Sequence, residues 1–369
     1  MARLPSLKAA ACHAAPVFLD KVATTAKALD LIREAAANGA DLVVFPESFI
    51  PAFPIWAALW APILNHDLFE SMVENSLYMD GPEIAQLRAE AKRLGVFVSM
   101  GISERSHASV GCIWNSNLLI GDDGSILNHH RKLVPTFYEK LVWAPGDGHG
   151  LQVSDTRIGK IGALICGENT NPLARYALMA QGEQLHISCW PALWPTRRPE
   201  TGSNFDNVAA NRIRAGAHSF EAKAFGILCA GFMDATMRNF LVDRDPEVAQ
   251  ILDHTPRAAT LFVDPTGSQI GEMLQQEEGI LYASLDLNAC IEPKQFHDVV
   301  GYYNRYDVFD FSVTRRRDQP VAWKDAATAQ ARGSDRLSEQ RVVEQQVFEK
   351  THRSLDAGYV TELPVHAEP

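Results

Sequence analysis

The chain has 369 residues, 46% hydrophobic and 21% charged, a balance that supports a sizeable buried core and excludes disorder for its bulk. Its net charge of -11, from 34 Lys and Arg against 45 Asp and Glu, argues against a phosphate backbone as the main partner, because nucleic-acid affinity rests on basic surfaces. No stretch reaches about 18 uninterrupted apolar residues and Met1-Ala2-Arg3-Leu4-Pro5 leads into no long apolar run, so neither a membrane span nor export is expected. The six cysteines (Cys12, Cys112, Cys166, Cys189, Cys229 and Cys290) form no C-x-x-C pair and no Cys/His cluster at zinc spacing. They point to free thiols in a reducing, cytoplasmic compartment.

Taken in chain order, residues 9–17 read as a strand. Residues 24–37 read as a helix with Ala28, Leu31, Ile32 and Ala35 at helical spacing, ended by Asn38-Gly39. A short apolar strand follows at 41–45. Gly81-Pro82 opens a helix at 83–94, and a strand follows at 96–102. Residues 115–120 and 125–128 flank Gly121-Asp122-Asp123-Gly124 as a hairpin. Then come a strand at 160–166, a helix at 172–181, a strand at 185–189, a helix at 204–224 and a strand at 225–230. The last strands are expected at 261–263 and 280–285, with Pro265-Thr266-Gly267 as the turn between them. Buried strands alternating with helices, with hairpins mixed in, give an α/β layered domain with a mixed sheet. Residues 1–310 are expected to form that domain. Residues 311–369 lose apolar density and are expected to form a C-terminal extension, peripheral or ordered against a partner chain.

Three residues fall at strand ends, where α/β folds place their chemistry: Glu47, Lys132 and Cys166. Each has an ordinary reading on its own: a solvated loop acid, a surface cation and a buried small hydrophobe. The residues around them change that reading. Leu42-Val43-Val44-Phe45-Pro46-Glu47, the stretch from His130-Arg131-Lys132 through Glu139 to Trp143-Ala144-Pro145-Gly146, and Ile165-Cys166-Gly167-Glu168-Asn169 stand in register. The separations are 85 positions from Glu47 to Lys132 and 34 from Lys132 to Cys166. In motif, order and spacing the chain resembles the nitrilase superfamily of carbon–nitrogen hydrolases over roughly residues 5–310.

That resemblance implies a four-layer α-β-β-α sandwich. It makes Cys166 the nucleophile, Glu47 the general base and Lys132 the cation that stabilises charge developing on the substrate, with Glu139 in support. It calls for neither a metal nor an organic cofactor. The implied substrate is a small-molecule nitrile, aryl or arylaliphatic, hydrolysed to a carboxylic acid and ammonia. An amidase or carbamoylase, or hydration only as far as the amide, are the alternatives within the superfamily, and a non-catalytic binding protein is the alternative outside it. The residue types suit the chemistry: a nitrile carbon is a poor electrophile and needs a soft nucleophile, and a thiol near its ordinary pKa needs an adjacent base. The resemblance also implies a homodimer built across a helical face, with the helices at 172–181 and 204–224 as candidates. Larger spirals are implied as well, with the tail as a further contact.

Gly167 departs from the Trp that follows the nucleophile in many nitrilases, which frees space beside the sulfur or lets the Gly167 backbone N–H turn toward it. Phe53, Trp56 and Trp60 are candidates for an aromatic pocket wall, with core or subunit contact as the alternative. Trp190 and Trp194 are candidates for a second wall. Glu168 reads as a structural hydrogen-bonder, His129-His130 as ordinary polar packing without a third metal ligand, and Gly146 to Gly150 as a flexible turn. His186 and Cys189 read as satisfied interior residues.

Overall fold

Period-two alternation along the strands decides how the layers stack. The computed structural model describes residues 3–195, 197–317 and 321. Its first strand, β1 (Ser6–His13), lies earlier than the local pattern indicates, because Ser6 to His13 pair antiparallel with residues 279–286, a partner at the far end of the chain. Helix α1 (Lys21–Ala37) begins three residues before the apolar spacing does, since the Asp20 carboxylate accepts the Ala23 N–H and caps it. Strand β2 (Leu42–Val44) follows. The aromatic stretch after it folds as two 3-10 turns and then as helix α2 (His66–Asn75), which the sequence reading missed. Helix α3 (Pro82–Leu94) carries Pro82 in its first turn and ends on Gly95 at φ +67°.

Strands β3 (Phe97–Arg105), β4 (Ile113–Ile120) and β5 (Ile126–Arg131) form an antiparallel meander. Then come β6 (Ser154–Thr156), β7 (Gly159–Ile165), α4 (Pro172–Met179), β8 (Leu185–Trp190), α5 (Asn207–Ala222) and β9 (Phe225–Ala230). Helices α6 (Ala235–Arg244) and α7 (Val248–His254) were not anticipated; α6 buries only Met237 and Leu241, too few for a readable apolar stripe. Strands β10 (Thr260–Val263), β11 (Gln269–Leu274) and β12 (Gly279–Asp286) and helix α8 (Ile291–Phe296) complete the described elements. The turn at Pro265-Thr266-Gly267 therefore joins β10 to β11 and not to the strand at 280–285, because β12 belongs to the other sheet.

The strands make two six-stranded sheets, in the orders β12-β1-β2-β3-β4-β5 and β11-β10-β9-β8-β7-β6. Leu7, Ala9 and Ala11 of β1 face Ile161, Ala163, Ile187 and Ile227 of the second sheet, and this is the sheet-on-sheet core. Ala10 and Cys12 point the other way and pack with Ile32 and Ala35 of α1 and Leu87 of α3. On the outer face of the second sheet, Ile165, Trp190 and Leu228 meet Ala215 of α5. The result is the helix–sheet–sheet–helix sandwich that the family resemblance implied. Residues 311–317 are held against the sandwich: Val313 packs on the cluster of Leu151, Leu164 and Leu178, and Arg317 Nη2 donates to the His129 carbonyl at 2.7 Å. The rest of the expected extension, including its role in an assembly, lies outside the described residues. Among the described residues, no helix is long and apolar enough to cross a membrane.

Candidate active site

Where β2 ends, the chain turns through Phe45-Pro46 and sets Glu47 over the edge of β3. The loop passes so close to Gly101 that a Cβ there would lie 2.0 Å from the Pro46 carbonyl oxygen, so only glycine admits this path. Lys132 leaves the end of β5, its backbone N–H donating to the Asn115 carbonyl at 2.8 Å. The two side chains then meet: Lys132 Nζ donates to Glu47 Oε1 at 2.7 Å and to Glu139 Oε2 at 2.6 Å, with all three side chains fully buried. Asn115 Nδ2 also donates to Glu47 Oε1, at 2.7 Å, and the Thr136 N–H donates to Glu139 Oε2 at 2.8 Å. Each carboxylate keeps one oxygen without a hydrogen bond, Glu47 Oε2 and Glu139 Oε1. A carboxylate oxygen of each lies within 4.8 Å of Cys166 Sγ.

Burial sets the electrostatics. It pushes the Glu47 carboxyl up to about 7, and the Glu139 charge adds to this, against the opposing pull of Lys132 and Asn115. Burial favours loss of the Lys132 proton, yet the carboxylates of Glu139 and Glu47 outweigh it and hold the ammonium well above its ordinary value. The Cys166 thiol is raised well above its ordinary value, first by burial and then by Glu47. At neutral pH the site thus holds a protonated thiol, a fixed cation and a carboxylate balanced between its two states. That is a thiol waiting for a base to take its proton.

Cys166 stands one residue beyond β7, at φ +49°, in a 3-10 turn over Cys166–Thr170. A non-glycine residue in this left-handed region needs outside support. Glu168 supplies part of it, accepting the Ile165 N–H at 2.8 Å, the Leu133 N–H at 2.7 Å and a bond from His130 Nε2 at 2.8 Å. Asn169 Nδ2 donates to the Cys166 carbonyl at 3.0 Å, and Asn169 Oδ1 accepts from His186 Nε2 at 2.8 Å. The hydrogen-bonding role read for Glu168 is thereby explicit: it ties the nucleophile turn to the lysine loop. Burial works against the charge on Glu168, but His130 keeps its carboxyl below the ordinary value.

Cys166 opens into a cavity of about 120 Å3. Gly167, Thr136, Trp190, Pro191, Trp194 and Phe205 line one part of it, and Asn207, Asn211 and Arg214 of α5 another. Gly167 and Trp190 are thus beside the nucleophile, while Phe53, Trp56 and Trp60 are not on this wall. Phe53 is buried edge-on against Trp143, its ring centroid 5.6 Å away, and Trp56 borders a separate cavity with Phe69 and Leu141. Trp60 donates from Nε1 to Asp245 at 2.8 Å. These three residues take the core alternative because the chain after Glu47 turns down between α2 and the 3-10 turn at Phe137–Leu141. His129 Nε2 bonds to Glu104 at 2.7 Å, and Cys189 is buried beside Cys166 and Trp190 without lining the cavity. The turn expected between Gly146 and Gly150 contains a short 3-10 segment, capped by Asp147 accepting the His149 N–H.

Asn115, Thr136, Asn169 and the α5 residues escaped the sequence reading. Asn115 stands in the polar run Asn115-Ser116-Asn117 of β4, and nothing local says which of these side chains faces a carboxylate 68 positions earlier in the chain. Two trios of metal-type donors occur among the described residues, Glu47-Glu139-Cys166 and Glu183-His186-His218. The first is already neutralised by the Lys132 ammonium, and in the second both Glu183 oxygens bond to imidazoles.

A carbon–nitrogen hydrolase family profile matches residues 8–295. An arylacetonitrilase from Hypocrea virens is 34% identical over 316 residues, covering 84% of this chain and 92% of that protein. An aliphatic nitrilase from Rhodococcus rhodochrous is 33% identical, covering 86% and 85%. The solved carbon–nitrogen hydrolase from Helicobacter pylori G27 has the same fold, with a TM-score of 0.62 and 19% identity over 82% of this chain and 97% of that one. The chain belongs to the carbon–nitrogen hydrolase family. It is a hydrolase acting on carbon–nitrogen bonds, of the branch in which sequence relatives bear the name nitrilase.

Proposed function

We propose that this hydrolase is a nitrilase, converting an aryl or arylaliphatic nitrile to a carboxylic acid and ammonia. The observation that carries this reading is the meeting of Glu47, Lys132 and Cys166, with a carboxylate oxygen of Glu47 within 4.8 Å of a sulfur that opens into an aromatic-lined cavity. Glu47 accepts the thiol proton as Cys166 Sγ attacks the nitrile carbon. The new C–S bond leaves a negative nitrogen, which takes that proton and gives a thioimidate. Water, deprotonated by Glu47, adds to the same carbon, ammonia departs, and a thioester remains. A second water releases the acid and returns the thiol. Lys132 is fixed beforehand by two carboxylates, so it meets developing negative charge without reorganisation; a donor of this kind contributes about 3–4 kcal/mol. Glu139 holds Lys132 in place through its hydrogen bond.

Ammonia release from phenylacetonitrile, benzonitrile, an aliphatic dinitrile and the matching amides tests the reading. Turnover of the nitriles to acids is expected. Turnover of amides alone makes the protein an amidase or carbamoylase, and amide as the end product makes it a hydratase-type relative.

The same reading extends to assembly and location. A homodimer through α4 and α5 is supported by Leu173 and Ile213, which are 62% and 72% exposed on those helices. Light scattering of a Leu173→Asp, Ile213→Asp double variant should show a smaller particle than the parent. The six cysteines, none in a disulfide, support a reducing, cytoplasmic compartment.

A further inference from the structure

We propose that the Cys166 cavity takes a nitrile bearing a carboxylate at its far end, and that Arg214 is the residue that recognises this carboxylate. This rests on the nitrilase reading and narrows its substrate class. Asn207, Asn211 and Arg214 stand at i, i+4 and i+7 on α5, one face of the helix, and all three line the cavity that holds the nucleophile. The Arg214 guanidinium lies 5.2 Å from the Trp190 ring centroid and donates to Asn211 Oδ1 at 3.4 Å, so its plane is held from two sides. Among the described residues no carboxylate lies within 4.0 Å of it. A guanidinium on an apolar wall without a counter-ion is costly, and its planar fork matches a carboxylate with two parallel hydrogen bonds.

The cavity's shape fixes the rest of the substrate. Its volume of about 120 Å3 approaches the roughly 150 Å3 of a cavity known to hold a benzene ring, so one ring or an equivalent span fits between sulfur and guanidinium. Trp190, Trp194 and Phe205 give that ring its apolar and aromatic surroundings. The nitrile then reaches Cys166 while the carboxylate reaches Arg214. A neutral substrate of the same shape fills the cavity and leaves the guanidinium unpaired.

The test compares para-cyanobenzoate with para-tolunitrile, a neutral molecule of similar outline, in the wild-type enzyme and in Arg214→Gln and Arg214→Lys. The wild type should favour para-cyanobenzoate in kcat/KM by roughly tenfold or more, and Arg214→Gln should lower that ratio by at least roughly tenfold, chiefly through KM. Arg214→Lys keeps the charge without the fork and should fall between them. Arg214 also lies near enough to Cys166 to act on the thiol, but that effect would change both substrates alike and leave the ratio where it was. A wild type that prefers the neutral nitrile, or a ratio that Arg214→Gln and Arg214→Lys do not move, overturns the proposal. If neither nitrile yields ammonia while phenylacetonitrile does, the proposal is overturned and the nitrilase reading stands; if no nitrile yields ammonia, the nitrilase reading fails, and the same ratio is then read on para-carbamoylbenzoate against para-toluamide.

Discussion

Lys132 Nζ stands 2.7 Å from Glu47 Oε1 although 85 positions separate the two residues along the chain. They leave the ends of β2 and β5, which share one sheet with two strands between them. Glu139 reaches the same ammonium from only seven residues downstream, at 2.6 Å. One cation therefore balances two buried carboxylates, and among the described residues neither acid has another charged partner.

Removing that cation should damage the fold as well as the chemistry. Lys132→Met leaves Glu47 and Glu139 buried and facing each other, and breaking a buried pair in this way costs about 3–5 kcal/mol. Denaturant unfolding should show that loss. Ammonia release from a variant held folded should fall by roughly a hundred- to a thousandfold. Wild-type stability in Lys132→Met would show that the carboxylates do not depend on the ammonium.

Glu47 must be ionised to accept the thiol proton, and burial lifts its carboxyl to about 7. As pH falls through that value the protonated form accumulates and kcat/KM should fall, approaching tenfold per pH unit on the acid side. Asn115 donates to the charged form, so Asn115→Leu should move the acid limb to higher pH. A pH–rate profile flat from pH 5 to 8 would remove Glu47 from the role of base.

Gly167 is explained by its neighbour. A Cβ at this position would lie 2.7 Å from Thr136 Oγ1, and the Thr136 N–H holds Glu139 in turn. Gly167→Ala should therefore push on the loop that orients Glu139 and Lys132. A several-fold loss in kcat is expected, with a smaller change in KM. Thr136→Ala in the same chain should recover part of that loss by clearing the space, and failure of the double variant to do so would contradict this account.

A buried cluster behind the nucleophile turn should set the acid limit of stability. Glu183 Oε1 bonds to His186 Nδ1 at 2.8 Å and Glu183 Oε2 to His218 Nε2 at 2.6 Å, with the two imidazoles stacked 3.5 Å apart. Burial opposes the Glu183 charge, but the imidazoles hold its carboxyl down at about 2, so its contribution to stability is present above pH 4.5 and lost as pH falls toward 2. Burial, followed by the neighbouring imidazole, lowers His218 to about 4, so the unfolded chain gains a proton below pH 6.5 that the folded chain refuses until about 4. Both effects destabilise on acidification. The melting temperature of the wild type should fall steadily below pH 6.5, and Glu183→Gln should lower it at neutral pH while flattening its fall below pH 4.5. A Glu183→Gln profile parallel to the wild type would contradict this assignment.

Local pattern showed strands alternating with helices and put Glu47, Lys132 and Cys166 at strand ends, because strand ends and short motifs are local features; the sandwich itself came from the family resemblance that those motifs carry. β9 (Phe225–Ala230) lies where the apolar run put it, since both of its faces are buried. The ends of β1 were misplaced because they depend on β12. The wall of the cavity was harder to see. Gly167 sits next to a motif residue and Trp190 follows the apolar strand expected at 185–189, so both were legible, whereas Asn207, Asn211 and Arg214 reach the site only because α5 packs across the end of β8. Phe53, Trp56 and Trp60 were drawn toward the pocket by their closeness to Glu47 in sequence, yet the fold turns them into a core of their own.

The most direct test is ammonia release from phenylacetonitrile by Cys166→Ala beside the wild type, with matched circular dichroism spectra and with acid-quenched turnover samples analysed by peptide mass. Turnover should fall to background in the variant, and in the wild type an adduct should appear on the peptide containing Cys166. Turnover that survives in Cys166→Ala, or an adduct carried by Cys189 or Cys229 instead, would contradict it.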